Sequence, residues 1–202
     1  MCADEISAAA DLVTALAALG ALVVAAIGLT TWRRELRGRE EFALARETLR
    51  AVYRVRDEIR HVRNPSMYPS EWADRPGRDE HQPVSDPKDV EHAYQKRWDR
   101  FVDVSGDLDS RLLEAEVLWG PSLAPPRDEL RRLVARLNVN LRKHLRTLTN
   151  EQYSRSLSAE QINGIDAIIW EGYEDPDPFA AELAGVFAQF ESTLRPHLGR
   201  TS

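Results

Sequence analysis

The chain has 202 residues, 43% of them hydrophobic and 30% charged, with 33 acids against 27 Lys and Arg for a formal charge of -6. That balance disfavours bulk nucleic-acid binding. The single cysteine, Cys2, excludes an internal disulfide framework and a cysteine-built zinc or iron–sulfur centre.

The first element is the stretch Leu12–Trp32, which carries no charged residue and is apolar on every side of a helix. At 1.5 Å per residue it measures about 30 Å, the hydrocarbon thickness of a bilayer, and is expected to be a transmembrane helix. A secretory signal peptide would start with positive charge, where this chain has Asp4 and Glu5. A buried core helix of this length would be unusually free of charge, and an interfacial helix would need a polar face. Asp4, Glu5 and Asp11 precede the span and Arg33, Arg34, Arg37 and Arg39 follow it. The positive-inside rule therefore puts residues 1–11 outside and the C-terminal part in the cytoplasm, at an inner membrane, with Trp32, Arg33, Arg34 and Arg37 at the lipid headgroups. The bilayer is then the first expected partner. Ala17, Gly20, Ala21, Ala25 and Gly28 form a stripe of small residues along which two such helices could pair into a homo-oligomer.

Between Arg33 and Pro65 the only glycine is Gly38, so residues 33–63 are expected to continue the helix as a stalk. Its apolar face is Phe42, Ala45, Leu49, Val52, Ile59 and Val62, interrupted once by Arg56. This face packs on the rest of the domain or pairs with another copy. The stalk holds ten Arg against six acids, whereas residues 151–202 hold nine acids against three Arg, so the domain has a basic and an acidic end. Residues 64–87 contain five prolines and Gly77, a density that argues for an irregular loop. Met67, Tyr68 and Trp72 within it are the candidate surface for an unidentified protein partner.

Asp86 followed by Pro87 reads as an N-cap and first helical residue. Val90, Tyr94, Trp98, Phe101, Leu108, Leu112, Ala115 and Trp119 then keep helical spacing up to Gly120–Pro121. Pro125 and Pro126 open a helix carried by Leu130, Leu133, Val134, Leu137, Leu141, His144, Leu145 and Leu148. Ser158 with Gln161 is a capping-box pair ahead of Ile162, Ile165, Ile168 and Ile169. Asp177–Pro178 repeats the cap-and-proline start for a last helix through Phe179, Leu183, Val186, Phe187, Phe190 and Leu194. Nothing alternates with a period of two. The expected fold is all-α: an N-terminal transmembrane helix continuing into a bundle made by residues 88–199 with the stalk, four main helices and one minor one.

Motifs that carry chemistry are scarce. Asp103–Glu114 places acids as a calcium loop would, but Leu108 stands where the sharp-turn glycine belongs. His61, His81, His92, His144 and His197 are scattered without a zincin spacing. His144 reads as a hydrogen-bonded core histidine. There is no phosphate-cradling glycine loop and no nucleophile elbow. No cofactor, metal or catalytic residue is expected.

The segments WRRELRG, LAR…RDEIRHVRNP and LRPHLG resemble a group of uncharacterised bacterial single-pass membrane-anchored helical proteins. The likeness covers the first third of the chain best. It implies topology and supplies no functional residues. The reading that results is a membrane-anchored helical interaction or scaffold protein at the cytoplasmic face, without catalysis. The alternative is a membrane-acting effector working through oligomerisation of its transmembrane helix. A third reading is an enzyme built around the acids Glu171, Glu174, Asp175 and Asp177.

Overall fold

The computed structural model describes residues 3–78 and 86–199, with side chains from Leu19 onward. The first helix, α1, runs unbroken over Ala3–Val62, about 90 Å at the usual rise. Nothing in its sequence stops it: no proline falls inside, and Gly20, Gly28 and Gly38 each cost a helix only about 1 kcal/mol. Its two halves have different fates. From Leu44 onward one face is buried, through Ala45, Ala51, Val52, Val55, Ile59 and Val62. Every described residue from Leu19 to Glu40 is exposed. The apolar face does not break at Arg56, because Val55 carries the step from Val52 to Ile59 while the Arg56 guanidinium lies 4.8 Å over the Tyr53 ring.

The expected membrane span, and with it the placement in an inner membrane with the N-terminus outside, is corrected here. Residues 1–18, including Ala17, lie outside the residues whose side chains are described. Among the described residues no helix is long and apolar enough to cross a membrane. The headgroup role read for Trp32, Arg33, Arg34 and Arg37 rested on that span and falls with it.

After α1, a single helical turn, α2 (Pro69–Trp72), interrupts the proline-rich segment. Proline density did not exclude it, since Pro69 stands at the first position, where its missing N–H has no partner to lose. α3 (Pro87–Trp119) starts as the sequence predicts, the Asp86 carboxylate accepting from the Lys88 N–H. It stops at Gly120, whose φ of 70° suits glycine. A 3-10 turn, Pro121–Leu123, leads into α4 (Ala124–Thr149). The short α5 (Glu151–Ser156) is capped by Asn150. α6 (Ala159–Ile169) opens with both bonds of the Ser158–Gln161 capping box, and α7 (Pro178–Leu198) opens on Asp177, which accepts from the Ala180 N–H.

The class is all-α, with no strand among the described residues. α3 and α7 pack on the second half of α1, α4 packs against α7 and α6, and α3 meets α4 across the 3-10 turn. One core runs through the assembly, from Val52 and Ile59 through Phe101, Leu112 and Leu137 to Phe187, Phe190 and Leu194.

Candidate functional site

Three buried arginines or acids tie the bundle's loops to its helices. Arg97 of α3, 1% exposed, donates to Asn64 O and Ser66 O at 2.6 Å each and to both Glu71 oxygens at 2.7 and 2.8 Å. Glu71 also accepts from the Tyr68 N–H and lies 3.3 Å from His61 Nε2. Burial alone would raise the Glu71 carboxyl, but these bonds and the Arg97 and His61 charges outweigh it, and its pKa is lowered. Asp89, 1% exposed, is held by Arg75 at 2.6 Å and Arg78 at 3.1 Å, and the Arg75 hydrogen bond leads the causes that lower its pKa.

Arg63 closes the other end. It donates to Ile168 O, Ala167 O and Trp170 O at the C-terminus of α6, and to the Asp177 carboxylate that caps α7. A cation at one helix C-terminus and an anion at the next N-terminus both suit the helix dipoles. For Asp177 burial is again the largest influence and opposes ionisation. The Ala180 and Gly172 N–H groups and Arg63 overcome it, leaving the pKa lowered. Nothing in hydrophobic periodicity reveals these arginines. Their one local sign is that Arg97 and Arg63 sit on or beside the apolar stripes of their helices.

The candidate partner residues divide. Met67 is half-buried against the core, and Trp72 is half-buried with the Arg78 guanidinium 4.5 Å above its ring. Only Tyr68 is open, at 55%. The Glu171–Asp177 acids form no cluster: Glu171, Glu174 and Asp175 are exposed, while Asp177 is spent on Arg63 and the α7 cap. Asp103–Glu114 lies wholly inside α3, so it offers no loop to wrap a cation. Among the described residues no group of three His, Cys, Asp or Glu side chains is placed to hold a metal.

His144 lies in the core as the sequence suggests, edge-on to Tyr94 and Trp170, but its nearest acid, Asp166, is 3.6 Å away. Burial lowers the His144 pKa and raises that of Asp166, so each is pushed towards its neutral form. Trp170 Nε1 donates to the Tyr94 hydroxyl at 3.2 Å. These groups link α3, α4 and the C-terminal end of α6.

Among the described residues two apolar surfaces stand out as uncovered. One is the projecting arm of α1, where Leu22, Val24, Ile27 and Trp32 are 67, 71, 61 and 58% exposed. Gly20, Ala21, Ala25 and Gly28 lie on this arm, also exposed. The other is a groove of about 430 Å³ between α3 and α4, lined by Trp98, Leu108, Leu112, Leu130, Val134 and Val139. Its rim carries the ion pairs Asp109–Arg131 and Glu116–Arg127, both 3.1 Å long. The apolar periodicity of α3 and α4 contains Trp98, Leu108, Leu112, Leu130 and Val134 but counts them as core, and it leaves out Val139. No protein-family model, curated protein or solved structure matches the chain, so these surfaces carry the functional argument.

Proposed function

We propose that this chain is a helical interaction protein, which uses its bundle as a rigid base and the projecting half of α1 as the element that binds another helical chain. The observation that carries this reading is the change of environment along one continuous helix. The face that begins at Leu44 is buried by α3 and α7, while Leu19 to Leu36 present large apolar side chains that are exposed among the described residues. Exposed apolar surface on this scale costs free energy in water until another apolar surface covers it. The buried charge networks support a scaffold role, because they fix loops and helix ends.

The test compares the full chain with its Leu22→Glu/Ile27→Glu variant by light scattering and chemical cross-linking, alone and in extracts of the source cells. The native chain is expected in a complex, with itself or another chain, that the variant does not form. A native chain that is monomeric, and whose cross-linked species are unchanged by the two substitutions, would refute the reading.

A further inference from the structure

We infer that the cavity between α4, α5 and α6 is a binding site for a small aromatic carboxylate, a single-ring acid with a hydroxyl at its far end. The inference goes beyond the reading of the α1 arm and does not depend on it.

The cavity follows from how the chain turns after α4. Asn150 caps the six-residue α5, the Ser158 box starts α6, and α6 returns to pack on α4. α5 buries no residue of its own, and a space of about 280 Å³ stays between the three helices. Leu157, Ile165 and the bare backbone of Gly164 give it an apolar lining. Tyr153 adds an aromatic wall, its ring covered at 4.3 Å by the Arg146 guanidinium. A volume at the lower end of ligand pockets suits one ring rather than a larger cofactor.

The polar groups around this lining have a definite sense. Arg131, Arg132 and Arg136, in the first part of α4, are paired with Asp109, Glu129 and Glu182. Among the described residues Arg142, Lys143 and Arg146, farther along the same helix, meet no carboxylate, and no acid lines the cavity. Lys143 lines it, so the local field is positive although the chain carries -6 overall. Gln161 Oε1 is taken by the Ser158 N–H at 2.8 Å, which leaves its amide hydrogens to donate. Asn140, 8% exposed, has the opposite surplus: its Nδ2 donates to Arg136 O at 2.8 Å, and its Oδ1 accepts no bond. A nearly buried carbonyl oxygen gains the donor it lacks when the ligand carries a hydroxyl. The free cation and amide select a carboxylate, Tyr153 with Leu157 and Ile165 selects an aromatic body, and Asn140 selects the hydroxyl.

The experiment titrates the full chain with para-hydroxybenzoate while its amide resonances are followed by NMR. Saturable shifts are expected at Lys143, Tyr153, Gly164 and Ile165, with a dissociation constant of about 1 mM or tighter. The neutral compound of the same shape, para-hydroxybenzamide, should bind at least about tenfold more weakly, and Lys143→Gln should lose a similar factor for the acid. Gly164→Leu tests the place: a Cβ there meets no atom within 4 Å, so the variant folds, which its thermal melt verifies, and its side chain fills the cavity. It should abolish the shifts. Equal binding of acid and amide, binding that survives Gly164→Leu, or inorganic phosphate shifting the same resonances as strongly as the acid would each overturn the inference. So would the absence of any saturable shift at about 20 mM acid. Each of these results leaves the arm reading standing, because Leu22 and Ile27 lie on α1, away from this cavity.

Discussion

The two halves of α1 are the same helix in two environments. Residues 44–62 and 19–40 are both continuous α-helix, yet Val55 and Ile59 are 0 and 1% exposed while Val24 and Ile27 are 71 and 61% exposed. Helical propensity accounts for both halves being helical; it does not distinguish them. The distinction lies in what faces them. Arg97, Arg63 and Glu71 lock α3, α6 and the loop around the second half, whereas the described residues of the first, Leu19 to Glu40, are all exposed.

The most severe way to break the packed half is to remove a buried charge partner. Arg63→Ala leaves three α6 carbonyls and the Asp177 carboxylate without their donor, and should lower unfolding stability by about 3–5 kcal/mol in a urea melt. Ile59→Ala should cost about 2–5 kcal/mol through lost burial and the cavity left behind, whereas Ile27→Ala should leave the bundle's melt within about 0.5 kcal/mol. That pair of numbers measures the comparison directly. Equal losses at the two sites would show the arm to be part of the packed core. Gly120→Ala forces a side chain into the positive-φ stop of α3 and should cost about 1 kcal/mol, a strain confined to the bundle because the added Cβ meets no atom within 4 Å.

Acid should act on the packed half alone, in two stages. His144 has its folded pKa depressed by burial, so the unfolded chain takes the proton first. Its contribution is complete above the ordinary histidine value of about 6.5 and is lost as the pH falls through the lower folded value. Glu71 and Asp177, also depressed, contribute fully above the ordinary carboxylate values and lose that contribution as the pH falls through their folded ones. Asp166 works in the opposite sense: its raised carboxyl favours the fold as the pH drops and offsets part of the loss. Urea midpoints at pH 7.5, 5.5 and 3.5 should therefore decline stepwise. His144→Leu should flatten the first step, and Glu71→Gln, already weaker at neutral pH, the second.

Much of the architecture was legible because its signals are local. Asp86–Pro87, Ser158 with Gln161, Gly120–Pro121 and Asp177–Pro178 mark helix ends through bonds spanning four residues or fewer, and the structure makes those bonds where the sequence puts them. The α2 turn is hidden by proline density, because Pro69 stands at the first helical position, where proline is accommodated. Arg56 was taken as an interruption because a three-residue step to Val55 and a four-residue step to Arg56 fit helical spacing equally well. The buried roles of Arg97 and Arg63 join residues 26 to 114 positions apart, and no short-range pattern encodes such a pairing.

What the sequence by itself determined is where the long bundle helices start, which side of each is apolar, and that the chain is all-α, since caps, prolines and periodicity act within a few residues. What only the tertiary structure decided is which apolar surfaces find a partner. α3 and α7 cover the second half of α1, a slot stays open between α3 and α4, and the described part of the arm is left exposed. The physical reason is that periodicity reports that a side chain prefers to leave water, while the packing of distant helices decides whether there is anything for it to leave water against.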